Sequence, residues 1–211
     1  MEEKDSKREE LKGRILRVSI EAFAKDGIKP VTMDKIASSL CISKRTLYEV
    51  YEDKEALLED CFRLLKSEKQ ARLKSMYENC DNVLTFLYEL YKMHMNEIQT
   101  VNPRLYDDIV KYPKLQEMIK CESAERNKTA DQFFARGVEQ GLFLPEINYG
   151  LLRLVNEVVH EGFMKDNSKL KEFSMEESFR TMFFINVRGI CTEKGRMLFD
   201  SLFLNKYKIR F

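Results

Sequence analysis

The sequence predicts an all-α protein, and three observations carry that expectation. Glycine and proline are scarce, 8 and 4 among 211 residues, about half of their usual combined share of roughly 12%, which leaves few turns for an all-β fold. Apolar residues recur at three- and four-residue steps through most of the chain, the period of an amphipathic helix. The few Gly and Pro residues fall between these periodic segments, where helices stop.

The elements follow in order. From Lys7 to Lys25, Leu11, Ile15, Val18, Ala22 and Phe23 form one stripe, and Gly27 stands where a C-terminal cap belongs. The charged run Glu2 to Glu10 reads as a solvated, frayed end, with Lys7 or Arg8 able to reach a minor groove as a basic arm. After Lys29-Pro30, Thr32 caps a short helix carrying Ile36, Ala37 and Leu40, with Asp34 against its positive dipole end. Ser43 caps the next helix, which runs through Leu47 and Val50 to Tyr51, and Glu52 or Asp53 caps a long helix from Lys54 to Tyr77.

The segment Asp81 to Val101 is apolar on nearly every side, which predicts a buried central helix. Pro103 and Pro113 bracket a short helical piece. A long helix from Lys114 to Gln140 ends at Gly141, and three more follow over 148–165, 175–191 and 193–206.

Composition excludes several classes. Lys and Arg total 36 against 35 Asp and Glu, for a net charge of +1, so no strong bias marks an acidic or basic partner. Five cysteines at 41, 61, 80, 121 and 191 contain no C-x-x-C pair, which supports neither a disulfide framework nor a zinc knuckle. They read as reduced, mostly buried thiols, Cys41 included. The first ten residues lack the apolar run of a signal peptide, and no stretch of about 18 apolar residues suits a membrane span. A cytoplasmic protein is the expectation.

The motif that carries chemistry is the pair of short helices over 32–51, braced by the helix before them. A second helix enters the major groove, about 12 Å wide, when its outer face is polar and slender and its inner face apolar. Ser43, Lys44, Arg45, Thr46 and Tyr48 supply the outer face, and Leu47 and Val50 the inner one.

These residues resemble the TetR family of bacterial transcription regulators: T-x-x-x-I-A at 32–37, I-S-K-R-T-L-Y-E-V-Y at 42–51 and D-K-E-A-L at 53–57. The resemblance covers residues 11–65, with Phe23 and Gly27 at the family's aromatic and cap positions, and Gly189-Ile190-Cys191-Thr192 is similar to the family's later G-I-x-T. It implies phosphate contacts by Thr32, Tyr48 and Lys54 and base reading by Ser43, Lys44, Arg45 and Thr46. Tyr51 joins this DNA-facing set. Arg45 suits a bidentate contact to guanine, with a phosphate contact as the alternative. Two departures stand out: Cys41 replaces the turn glycine, and Arg45 is bulkier than the usual occupant.

The resemblance further implies an N-terminal helix-turn-helix domain over 1–53 and an effector-binding, dimerising helical bundle over 54–211. Phe86, Tyr91, Met95, Tyr106, Phe133 and Phe134 are the candidate effector pocket. Leu151, Val155 and Val158, with Phe179, Phe183 and Val187, are the candidate homodimer interface, the last helices having more apolar faces than one chain is expected to cover. The expected function is an effector-responsive regulator, a repressor, that binds a palindromic operator in double-stranded DNA as a dimer, with no cofactor, no metal and no enzymatic activity. The helix from Lys54 is the expected lever between effector and DNA. The alternative is a helical-bundle metal enzyme using Glu157, His160 and His94, because Glu157 and His160 share one helix face.

Overall fold

The structure is a computed structural model. It describes residues 2–165 and 172–207, with no account of the side chains at 2–5, 122–129, 160–165 and 205–207. Among the described residues the chain forms α1 (Glu2–Asp26), α2 (Met33–Ser39), α3 (Lys44–Val50), α4 (Lys54–Asn79), α5 (Val83–Thr100), α6 (Arg104–Ile109), α7 (Pro113–Glu139), α8 (Tyr149–Lys165), α9 (Met175–Gly189) and α10 (Glu193–Tyr207). One isolated antiparallel bridge, Phe143 with Cys191, is the sole β feature described. The all-α expectation holds, and the ten predicted segments are all present. α1 begins at Glu2, so the charged stretch read as a frayed end is helical.

Two compact units divide the chain: Met1–Leu73 with Glu97–Cys121, and Lys74–Asn96 with Glu122–Phe211. α4, α5 and α7 contribute residues to both. The unit that holds the helix-turn-helix is thus larger than the motif.

In the first unit α2 and α3 are short because their caps and breakers lie close together. Thr32 accepts from the Lys35 backbone at 3.2 Å and Ser43 from that of Thr46 at 3.0 Å, each satisfying an N–H with no helical partner. Asp53 does the same for Ala56 at the start of α4, at 2.8 Å. The apolar side chains Ile36, Ala37, Leu40 and Leu47 are buried in one core with Ile15, Leu16 and Phe23 of α1 and Leu57 and Leu58 of α4.

The end of α1 is tied to α6. Asn102 donates through its backbone to Ala24 at 2.8 Å and through its side chain to Lys25 at 2.9 Å. Buried Asp108 accepts from the Lys29 backbone at 2.9 Å and from the Lys111 ammonium at 2.8 Å. Those two donors hold its carboxyl below the usual range.

In the second unit Val83, Leu84, Leu87 and Tyr91 of α5 pack with Phe143, Phe184, Phe199 and Phe203. Phe199 stacks on Phe203 at 4.4 Å between centroids, and Phe184 meets Phe199 edge-on at 5.2 Å, both favoured ring arrangements. α5 is not buried on every side, since Phe86, Leu90 and Met95 are half-buried. The G-I-x-T segment has a structural reason. Thr192 donates its hydroxyl to the Gly141 carbonyl at 2.8 Å and accepts from the Gly195 backbone at 3.0 Å, which caps α10 while pinning the turn after α7. Backbone passes closely here: a Cβ on Gly195 would lie 2.1 Å from the Leu142 carbonyl oxygen, and one on Gly137 would lie 2.0 Å from the Phe143 ring.

The expectation of mostly buried thiols needs correction. Cys61 and Cys191 are buried, Cys80 is intermediate, and Cys41 and Cys121 are exposed. Burial pushes the thiols of Cys61 and Cys191 up, to about 12 and about 11. Cys41 is exposed because it sits in the turn between α2 and α3, whose backbone carries its side chain away from the core.

Candidate nucleic-acid interface

The turn between α2 and α3 closes through two backbone bonds, Cys41 to Ser38 at 3.1 Å and Ile42 to Ala37 at 3.0 Å. Closing it this tightly puts Cys41 at φ +55°, the left-handed region where glycine is favoured. The turn therefore holds a left-handed residue without glycine, at some backbone strain.

α3 then presents two faces. Leu47 is fully buried and Val50 half-buried, whereas Ser43, Lys44, Arg45, Tyr48 and Glu49 are exposed and Thr46 is intermediate. Thr46 and Ser43 also share a hydroxyl hydrogen bond of 2.8 Å. The outer face is dressed with ion pairs. Lys44 lies 2.7 Å from Asp34 of α2 and stands over the Tyr48 ring at 5.9 Å, and the Nε of Arg45 donates to Glu49 at 3.0 Å. The carboxylate of Asp34 raises the Lys44 ammonium above its ordinary value. Sequence reading did not pick out Glu49, although its place four residues after Arg45 on one helix is the signal for such a pair.

Two residues of the expected DNA-facing set are turned inward. Tyr51 is 4% exposed, and its hydroxyl donates to Asp60 of α4 at 3.2 Å. Burial, followed by the charge of Asp60, raises its pKa. Tyr51 ends α3 on the apolar side, so it braces the helix and is not available to a groove. Lys54 is half-buried: its ammonium donates to the Ile28 carbonyl and lies 5.9 Å from the Phe23 ring centroid. Desolvation lowers its pKa. Asp60 in turn receives Lys12 at 2.8 Å and Arg63 at 2.7 Å. Partial burial opposes its ionisation, but these donors prevail and keep it below the usual carboxylate range.

Of the expected pocket residues, five fall in the second unit and Tyr106, half-buried on α6, falls in the first. Phe86, Phe133 and Phe134 form a ring cluster, with centroids 5.9 Å apart for Phe86 and Phe133 and 5.4 Å for Phe133 and Phe134. Tyr91 is buried among Phe179, Phe183 and Phe203, and Met95 packs at the edge of the same core.

The expected dimer set also divides. Leu151, Val155 and Val158 of α8 are exposed, from 49% to 62%. On α9, Phe179 and Phe183 are half-buried and Val187 is buried within the single chain. α9 therefore buries more of itself than its pattern suggested, because Phe199 and Phe203 of α10 take up Phe184 and its neighbours. Leu154 and Ile185, at 55% and 64% exposure, extend the apolar surfaces of α8 and α9 instead.

Among the described residues no group of three His, Cys, Asp or Glu side chains is placed to hold a metal ion. The side chain of His160, on which the metal alternative depends, lies outside the described residues. No described helix is long and apolar enough to cross a membrane.

A solvent-facing polar α3, seated by α2 on a core shared with α1 and α4, defines the class: a helix-turn-helix module. Residues 15–61 match the model of bacterial regulatory proteins of the tetR family. Over 92 residues the chain is 32% identical to an uncharacterized HTH-type transcriptional regulator, YhgD, of Bacillus subtilis, covering 40% of this chain and 48% of that protein. The chain thus spans about half the length of this curated relative. Solved structures share the fold. A regulator from Saccharomonospora viridis in complex with choline has a TM-score of 0.68 at 18% identity, with 88% of this chain and all of that one covered. A TetR-family regulator from Marinobacter aquaeolei has a TM-score of 0.68 at 16% identity, covering 93% and 98%. The fatty acid degradation regulator FadR of Bacillus halodurans has a TM-score of 0.58 at 17% identity, covering 83% and 94%. Residues 15–61 are thus similar to the tetR family of bacterial regulatory proteins, and most of the chain shares the fold of these solved structures.

Proposed function

We propose that the protein is a dimeric, effector-responsive DNA-binding regulator, a repressor working in the cytoplasm, and not an enzyme. The single observation that supports this most is the outer face of α3, where Ser43, Lys44, Arg45 and Tyr48 stand exposed over a buried Leu47. Arg45 reads a base edge, because its guanidinium fork matches guanine O6 and N7. Tyr48 and Thr32 hold phosphates beside it, with Ser43, Lys44 and Thr46 completing the reading face. Lys54 joins them only if its ammonium leaves the Ile28 carbonyl. Tyr51 has no part in the contact.

Two reading heads come from two chains. The exposed α8 residues Leu151, Leu154, Val155 and Val158 form an apolar stripe that a second copy covers, and twofold symmetry then matches a palindromic operator. Phe179 and Phe183 of α9, half-buried, join them in the contact between copies. The effector is a small molecule that packs against the aromatic and methionine side chains Phe86, Tyr91, Met95, Phe133 and Phe134. A regulator of the same fold, from Saccharomonospora viridis, is solved in complex with choline, a small molecule. By linkage, an effector that favours the form with weak DNA affinity lowers operator binding by its own differential affinity, about 1 to 3 kcal/mol.

Selection of duplexes from a randomised pool, with sedimentation of the free protein, tests this reading. Recovery of an inverted-repeat sequence by a protein that sediments as a dimer is expected. A monomer that retains no duplex preferentially overturns it.

A further inference from the structure

We propose that Glu49 is a specificity-determining positioning residue, which holds the Arg45 guanidinium for base reading and keeps it from settling on phosphates. The inference rests on the reading that Arg45 faces base edges. A carboxylate on a surface meant for phosphodiesters is repelled by them, so its presence there calls for a reason. The protein places two, Asp34 and Glu49, and each is joined to a cation of the outer face, at 2.7 Å to Lys44 and 3.0 Å to Arg45.

Stability of the fold is not that reason. The side chain of Arg45 is 89% exposed, and an exposed pair at this spacing adds little to a helix. Its geometry suits a different task. Glu49 engages Nε, on the inner edge of the guanidinium, and among the described residues Nη1 and Nη2 have no other partner. The outer edge, with its two parallel N–H groups, is the one that fits guanine O6 and N7.

Two effects follow. Holding the long side chain in one orientation before contact lowers the ordering cost of a bidentate bond. Offsetting the arginine charge weakens its pull toward any phosphate, the contact common to every duplex. Both act in the same direction, favouring the preferred sequence over random DNA. Without Glu49, Arg45 would be a mobile cation that binds backbone anywhere.

The test uses the full chain and the best duplex recovered from a randomised pool, beside a scrambled duplex of equal length. Affinities for both are measured for the natural protein, E49Q, R45A and the double variant, with circular dichroism to confirm folding. E49Q is expected to bind scrambled duplex more tightly and to lose about tenfold in the ratio of preferred to scrambled affinity, the scale of one bidentate base contact. In the R45A background the same change should move the ratio by no more than about twofold, as expected when one residue acts through another. An unchanged ratio in E49Q overturns the proposal. So does an equal loss in the R45A background, which would make Glu49 a direct reader, for instance of a cytosine amino group. A ratio unaffected by R45A itself removes the base-reading role of Arg45, and this proposal with it.

Discussion

Tyr48, on α3, and Tyr51, the residue that caps its end, have opposite fates, and the difference is the kind that single residues decide. Replacing Tyr51 with Phe removes the hydroxyl bond to Asp60 and should lower stability by about 1 kcal/mol while leaving DNA affinity unchanged. Tyr48→Phe should leave stability alone and weaken binding to all duplexes alike, by severalfold. Urea titration and duplex binding of both variants check the pair. The sequence could place Tyr48 outside because its motif neighbours are polar. It could not place Tyr51, whose position at the last turn depends on where Asp60 of α4 arrives, a tertiary fact. Asp108 was equally hidden, since nothing local shows that a carboxylate in α6 receives the backbone of Lys29. Its folded pKa is depressed, chiefly by Lys111 and then by backbone donors. Its contribution is therefore present at neutral pH, above the ordinary Asp value of about 3.9, and is lost as pH falls through the lower folded value. Asp108→Asn should cost about 2 kcal/mol near neutrality, the scale of a buried charge-assisted bond. The gap to the natural protein should narrow in unfolding curves as pH falls below the ordinary value and close below the folded one; a gap that persists unchanged in acid would refute the assignment.

At the scale of elements, local chemistry was most informative where helices begin. Thr32 and Ser43 were readable as caps because a hydroxyl followed by a periodic apolar pattern leaves few other uses for it, and both accept the expected backbone N–H. Ser43→Ala should lower stability by about 1 kcal/mol, as loss of a cap does, and weaken DNA binding further by fraying the reading helix. Between α2 and α3 the turn was legible in place and not in exposure, because the left-handed backbone at Cys41 is set by the two bonds that close the turn. Cys41→Gly relieves that strain and should raise stability by about 0.5 to 1 kcal/mol. A fall in the unfolding midpoint would show that the turn is relaxed as it stands. The α5 pattern misled for a physical reason: apolar side chains on all sides permit complete burial without requiring it, and the chain covers only the side that meets Phe143, Phe184 and Phe203.

For the whole molecule, the fold class and the order of ten helices were plain from periodicity, whereas the surfaces by which chains meet were not. Helix periodicity reports which residues are apolar, and a residue covered by its own chain looks the same as one awaiting a partner. Val187 is buried within its own chain, whereas Val155 is exposed. Val155→Glu places a charge on the α8 stripe and should convert a dimer to a monomer in sedimentation, with operator affinity falling by about a hundredfold as two linked contacts become one. Val187→Glu would instead damage folding. The close passes at Gly137 and Gly195 bear on how this sequence drifts. Each glycine weakens its own helix, by about 1 kcal/mol relative to alanine, yet an added methyl at either position would collide with a ring or a carbonyl. A saturation library screened for soluble protein should return glycine alone at both sites, while exposed neighbours such as Glu139 and Arg196 vary.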